Sequence, residues 1–282
     1  LRAHLESQGW TPTPIQEAAI EPLLSGQDRV LVAPTGSGKT EAAVLPILSA
    51  CHTQEWGRMS ILYVTPLRAL NRDIDRRLGG LAEIAGLEVG LRHGDTPQAE
   101  RNRQSRKPPH LLVTTPETLQ IMLTGSRLRE HLRNVRTIIV DEVHEVASSE
   151  RGAQLLVGMA RIEEMSQRQI QRLGLSATVG NPTEVAHWLS PKRGEPILAD
   201  APRNTVVRIT CAQPEDSDEA VALEHSTTPQ AMASLRMLAG RLKADAPSLI
   251  FVNSRNAAET AASTSSLEEQ GILAIREPLA GE

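Results

Sequence analysis

The chain has 282 residues, and because single cores stop growing at roughly 250–300 residues it is expected to hold one complete domain and part of a second. With 40% apolar and 23% charged residues and no apolar run near the roughly 20 residues of a membrane helix, it is placed among soluble globular proteins; Cys51 and Cys211 offer neither a disulfide framework nor zinc spacing and fit a reducing cytoplasm. A net charge of −4 argues mildly against a protein that wraps nucleic acid by charge alone, and three Trp, one Tyr and one Phe are too few for a base-stacking platform, so any nucleic-acid contact should be mostly to backbone.

In chain order, a helical pattern over 14–24 follows Thr11-Pro12-Thr13-Pro14-Ile15-Gln16 and is closed by Gly26. The apolar run 29–33 reads as a strand and leads through Ala33-Pro34-Thr35-Gly36-Ser37-Gly38-Lys39-Thr40 into a helix over 38–52. The general P-loop pattern opens on glycine, and Ala33 departs from it, but the GxGKT portion is intact. Gly36 and Gly38 let backbone N–H groups approach a phosphate, Lys39 reaches the β- and γ-phosphates, and Thr40 stands at a helix N-terminus where it can ligate Mg²⁺.

A strand over 59–65 precedes a helix over 67–84, whose Leu67, Leu70, Ile74, Leu78 and Leu81 share one face and whose Arg68, Arg72 and Arg76 share the other. Strands follow at 87–92 and 110–114, with helices over 97–106 and 116–124; Arg101, Arg103, Arg106 and Lys107 read as solvated surface. The strand 135–140 runs into Asp141-Glu142-Val143-His144, which puts two carboxylates at a strand's C-terminal end, where doubly wound sheets bind ligands. Asp141 is suited to hold hydrated Mg²⁺ and Glu142 to orient or deprotonate a water. A helix over 152–166, a strand over 171–176 and a helix over 182–189 complete the βα alternation, which predicts an α/β fold with a parallel sheet.

From Pro191 prolines punctuate the pattern. The first domain is placed at 1–200, a linker and first strand region at 201–228 with a strand at 205–211, and a partial second domain at 229–282 with a helix over 229–243, a strand at 249–252 and a helix over 255–270.

The loop at 33–40, Asp141-Glu142-Val143-His144 and Ser176-Ala177-Thr178 together resemble a superfamily-two helicase of the DEAD/DEAH type. Further motifs stand in the family's order: Thr11 to Gln16, Thr65-Pro66-Leu67-Arg68-Ala69-Leu70, Thr114-Thr115-Pro116-Glu117-Thr118-Leu119 and Leu249 to Arg255. Arg92-His93-Gly94-Asp95-Thr96-Pro97 and Leu175 to Asn181 are worded most like the Lhr (large helicase-related) DNA helicases. The resemblance implies a RecA-like P-loop NTPase domain followed by the start of a second, with ATP and Mg²⁺ as cofactors and single-stranded DNA or DNA forks as partners.

It implies that residues 33–40 cradle the nucleotide and that Gln16 reads its adenine edge. Lys39, Asp141, Glu142 and His144 form the catalytic set, and Ser176 and Thr178 couple the nucleotide state to the strand. Thr65, Arg68, Gly94, Asp95, Thr115, Glu117 and Arg255 contact the strand backbone. The arginine fingers of such a motor lie in second-domain motifs that are not found here, since the one arginine after Arg255 is Arg276, in no finger context. The chain is therefore expected to be an N-terminal portion that binds Mg-ATP weakly, hydrolyses it slowly and does not unwind duplex. An RNA helicase of the DEAD-box type and a truncated, non-catalytic binding module are the alternatives.

Overall fold

The computed structural model describes residues 9–66, 71–199, 209–224, 227–241, 250 and 252. The chain divides into two compact units, residues 1–202 and 203–282.

The first unit is an α/β layered fold around a seven-stranded, all-parallel sheet with strand order β3-β4-β2-β5-β6-β1-β7. The strands are β1 (Arg29–Val32), β2 (Ile61–Val64), β3 (Val89–Arg92), β4 (Leu111–Thr114), β5 (Thr137–Val140), β6 (Gln171–Ser176) and β7 (Glu195–Leu198). Between them run α1 (Pro14–Leu24), α2 (Lys39–Thr53), α3 (Asn71–Ile84), α4 (Gln98–Arg106), α5 (Pro116–Thr124), α6 (Ser126–His131), α7 (Val143–Ala147), α8 (Glu150–Ser166) and α9 (Pro182–Leu189).

Strand residues alternate between two apolar cores because successive side chains leave a strand on opposite faces. Leu31, Ile61, Tyr63, Leu111 and Ile139 pack with Ile15, Ala19, Ile47, Leu48 and Leu78 from α1, α2 and α3. Val30, Leu62, Val64, Leu112 and Ile138 pack with Leu119, Leu155, Met159 and Ile162 from α5 and α8. Each of these large side chains is fully buried, a state that favours folding by about 1.5–3 kcal/mol per residue. With both faces covered, the strand ends are left to carry chemistry.

The helix starts are built by capping. Thr115 and Ser149 accept from the backbone N–H of Thr118 and Gly152 at the heads of α5 and α8, and Asn181 accepts from Glu184 at the head of α9, with Pro182 in the first turn.

Four elements lie beyond the sequence pattern. Strand β7 contains Pro196 and pairs through β1 at the sheet's edge, a position that tolerates a missing donor. Helices α6 and α7 are six and five residues long, too short for periodicity to show. The stretch expected as linker carries α10 (Asp216–Glu224), which belongs with α11 (Pro229–Ala239) to the second unit. There Arg236 donates to Asp218 and pairs with Glu215 at 3.0 Å, while Thr228 caps α11. Of the strand expected at 205–211, residues 209–211 carry no regular structure and the rest lies outside the described residues. So do the elements expected at 249–252 and 255–270 almost entirely, together with Arg68, Arg255, Arg276 and the Arg72 side chain.

Candidate active site

Within the first unit, the motif residues outside α1 fall on one edge of the sheet, at the C-terminal ends of its strands. The glycine loop leaves β1, Asp141-Glu142 leaves β5, and β6, which ends in Ser176, lies between them. Gly36 and Gly38 stand at φ +79° and +85°, a region that costs other residues strain. At Gly38 a Cβ would also strike the Gln16 amide.

The loop is latched from below by α1. Thr13 Oγ1 donates to the Ser37 carbonyl at 2.9 Å and Gln16 Nε2 to the Gly38 carbonyl at 3.2 Å, while Gln16 Oε1 accepts from the Thr13 N–H at 2.9 Å. The side chain assigned to the adenine edge thus already serves the loop and its own helix start. Lys39 Nζ folds onto the Ala33 and Pro34 carbonyls at 2.7 and 2.9 Å, and burial pulls its pKa below the ordinary lysine value against the opposing pull of Glu142 and Asp141.

Asp141 accepts from the Tyr63 phenol at 2.6 Å and from the Glu142 N–H at 3.0 Å. Burial pushes the carboxyls of Asp141 and Glu142 above their usual range, and for Glu142 the neighbouring Asp141 charge adds to the effect. Glu142 holds φ +43°, which for a residue with a side chain is strained and is characteristic of functional sites. His144 Nδ1 stands 3.1 Å from Ser176 Oγ and 3.6 Å from Glu142 Oε2, so β5 and β6 are tied together beside the loop. Thr178 follows in the turn after β6 and has interactions of its own.

Thr65, Gly94-Asp95 and Thr115 follow β2, β3 and β4, which are neighbours in the sheet, and so line the adjoining stretch of the same edge. Thr65 is fully buried and donates its N–H to Thr114; the Thr115 hydroxyl is held by Thr118. The Asp95 backbone N–H donates to His93 Nδ1 at 3.1 Å, and Arg101 reaches back to the His93 and Gly94 carbonyls. Glu117 is paired with Arg151 at 2.6 Å, and Arg151 also donates to the Pro66 carbonyl at 3.1 Å.

Tyr63 and Arg151 escape the sequence reading. The signal for the first was its being the one tyrosine in the chain, a polar handle in an otherwise apolar strand; for Arg151 there was none, since its partners lie 34 and 85 residues away.

The donor set suits phosphate and a hard cation. Hydroxyl and carboxylate oxygens from Thr40 and Asp141 are what Mg²⁺ prefers, and Mg²⁺ keeps waters and phosphate oxygens rather than filling an all-protein cage. No cluster of three acidic, histidine or cysteine ligands occurs among the described residues. Ser37 Oγ, Thr65 Oγ1 and Thr114 Oγ1 are buried along this edge without a hydrogen-bond partner among the described residues. A cavity of about 560 Å³ around Arg129, Arg133, Arg161 and Arg168 lies at the opposite strand ends and contains none of the motif residues. No described helix is long and apolar enough to cross a membrane.

Residues 13–185 match the DEAD/DEAH box helicase family model. Among curated proteins the chain is similar to the Lhr helicase/probable uracil glycosylase of Mycolicibacterium smegmatis, at 38% identity over 88% of this chain and 17% of the relative. It is also similar to the ATP-dependent helicase Lhr-Core of Saccharolobus solfataricus, at 36% identity over 89% of this chain and 30% of the relative. The chain therefore spans less than a third of these relatives. Among solved structures, Mycobacterium smegmatis helicase Lhr bound to ssDNA and AMP-PNP superposes with a TM-score of 0.74 at 34% identity, covering 94% of this chain and 35% of that one. The helicase MrfA, at 23% identity and a TM-score of 0.71, shares the fold. With the glycine loop, the paired carboxylates and the RecA-like parallel sheet in one assembly, the chain belongs to the DEAD/DEAH box helicase family.

Proposed function

We propose that this chain is the ATP-binding portion of an Lhr-like, ATP-dependent DNA helicase, with its first RecA-like domain at residues 1–200 and part of a second at 229–282. The observation that carries the reading is the single sheet edge that holds both the glycine loop with Asp141-Glu142 and, on adjoining strand ends, Thr65, Gly94, Asp95 and Thr115. The solved Lhr relative bound to ssDNA and AMP-PNP supports it.

The chemistry follows from the geometry. Loop N–H groups at 36–40 and the head of α2 receive the phosphates, where the helix dipole favours negative charge. Lys39 leaves the Ala33 and Pro34 carbonyls to meet them. A Mg²⁺ ion held by Thr40 and Asp141 would supply charge neutralisation when bound. Glu142, its carboxyl raised by burial, is suited to take a proton from water. Ser176, tied to His144 at 3.1 Å, reports the state of that corner to β6. Thr65, Gly94 and Thr115, with the N-terminus of α5, would meet a strand backbone through main-chain groups, contacts that position without reading sequence.

Titration of a fluorescent ATP analogue into this chain tests the nucleotide half. Saturable binding that disappears in Lys39→Ala, with the melting curve unchanged, is the expected result; equal affinity in the variant would refute the loop assignment. ATP turnover of the intact protein with DNA and with RNA then decides the strand. Stimulation by RNA alone would replace the DNA reading with the RNA helicase one.

A further inference from the structure

Tyr63 is fully buried on β2, among Leu31, Ile61, Val113 and Ile139, and is the only tyrosine in the chain. Its ring could be replaced by phenylalanine without loss of packing, so the hydroxyl calls for its own explanation. A buried phenol needs a hydrogen-bond partner. Here the O–H donates to Asp141 Oδ2 at 2.6 Å, and the Thr40 side chain faces the same phenol. One hydroxyl thus stands between residues that arrive from different strands, Thr40 after β1 and Asp141 after β5. With the Glu142 N–H on Oδ1 at 3.0 Å, the Asp141 carboxylate is held at both oxygens.

The register explains the reach. Strand β2 pairs with β5 so that Tyr63 lies beside Ile139 and Val64 beside Val140, which brings the phenol to the strand end where Asp141 begins. We propose that Tyr63 is a positioning residue of the metal site: its hydroxyl fixes the orientation of the Asp141 carboxylate and its spacing from Thr40, so that both oxygens meet one Mg²⁺ on arrival of the nucleotide. The inference rests on the nucleotide-site reading above and deepens it. Partners of this kind, once removed, typically cost 10–100-fold in metal affinity.

The test is Tyr63→Phe in this chain, with binding of a fluorescent ATP analogue followed in EDTA and across a Mg²⁺ titration. The metal-free affinity should change less than about twofold, while the half-saturating Mg²⁺ concentration should rise by about tenfold or more. An unchanged Mg²⁺ midpoint in a folded variant overturns the proposal and leaves the nucleotide site standing. A wild-type chain that binds no nucleotide overturns the site reading itself. Should the variant fail to fold, the single tyrosine permits a second measurement on the wild-type chain. With 3-fluorotyrosine incorporated, its one ¹⁹F resonance should broaden when Mn²⁺ is added with nucleotide and stay sharp with nucleotide alone. A resonance insensitive to Mn²⁺ under saturating nucleotide overturns the proposal.

Discussion

Two carboxylates occupy opposite edges of the same sheet and are treated differently. Asp28, at the entry to β1, has a side chain with no exposed surface; it accepts from the Arg172 N–H at 2.9 Å, the Ser190 hydroxyl at 2.6 Å and the Arg193 guanidinium at 3.1 Å. Asp141, at the exit of β5, has two neutral donors, a phenol and a backbone N–H, while Lys39 is turned onto loop carbonyls. A guanidinium completes the first site, and burial leaves the second with a raised pKa. A buried charge with its cation in place ties elements together, whereas one held by neutral donors keeps capacity for the cation that the proposed Mg²⁺ site requires.

The largest effect should come from the functional edge. In the intact protein, Glu142→Gln should lower ATP turnover by about 10²–10⁴-fold, the usual contribution of a positioned proton acceptor, with nucleotide affinity kept within a few-fold. Steady-state turnover and equilibrium binding measured together check this, and unimpaired turnover would break the contrast. Next, Asp28→Ala should destabilise the fold by about 1–3 kcal/mol, because it leaves the Arg172 N–H and the buried Ser190 hydroxyl without their acceptor. Urea denaturation reads the loss, and nucleotide affinity of the folded fraction should be unchanged. A loss below about 1 kcal/mol would mean that this edge is not the structural one.

The smallest effect belongs to the Arg58–Glu88 pair, joined by two hydrogen bonds of 2.8 and 2.7 Å. Arg58 holds the Glu88 carboxyl at about 2, against an ordinary 4.5. Because the folded value is depressed, this stabilisation is complete above about pH 4.5 and is lost as pH falls toward 2. The Glu88 side chain is exposed and that of Arg58 partly so, so Glu88→Gln should cost less than about 1 kcal/mol at pH 7. The gap between variant and wild type in urea midpoint should narrow at pH 3.

The reading from residues was clearest where a function depends on neighbours in sequence. The glycine loop and the acidic pair each lie within eight consecutive residues, flanked by apolar runs, and their strands and helices stand within a few residues of expectation. Strand β7 was hidden because Pro196 argues against a central strand, and only its edge place in the sheet reverses that inference. Helix α10 has little apolar periodicity and is held to α11 by Asp218 and Arg236, 18 residues apart. Tyr63 and Asp141 are 78 residues apart, and their meeting depends on β2 lying beside β5, which no local pattern encodes.

The latch beneath the glycine loop has a mechanical consequence. Gln16 spends one amide N–H on the Gly38 carbonyl and one oxygen lone pair on the Thr13 N–H, and Gly38 has no room for a side chain between them. The amide's second N–H and lone pair stay open for the proposed base contact, so one side chain would join base and loop, and a triphosphate without a matching base should leave that link half made.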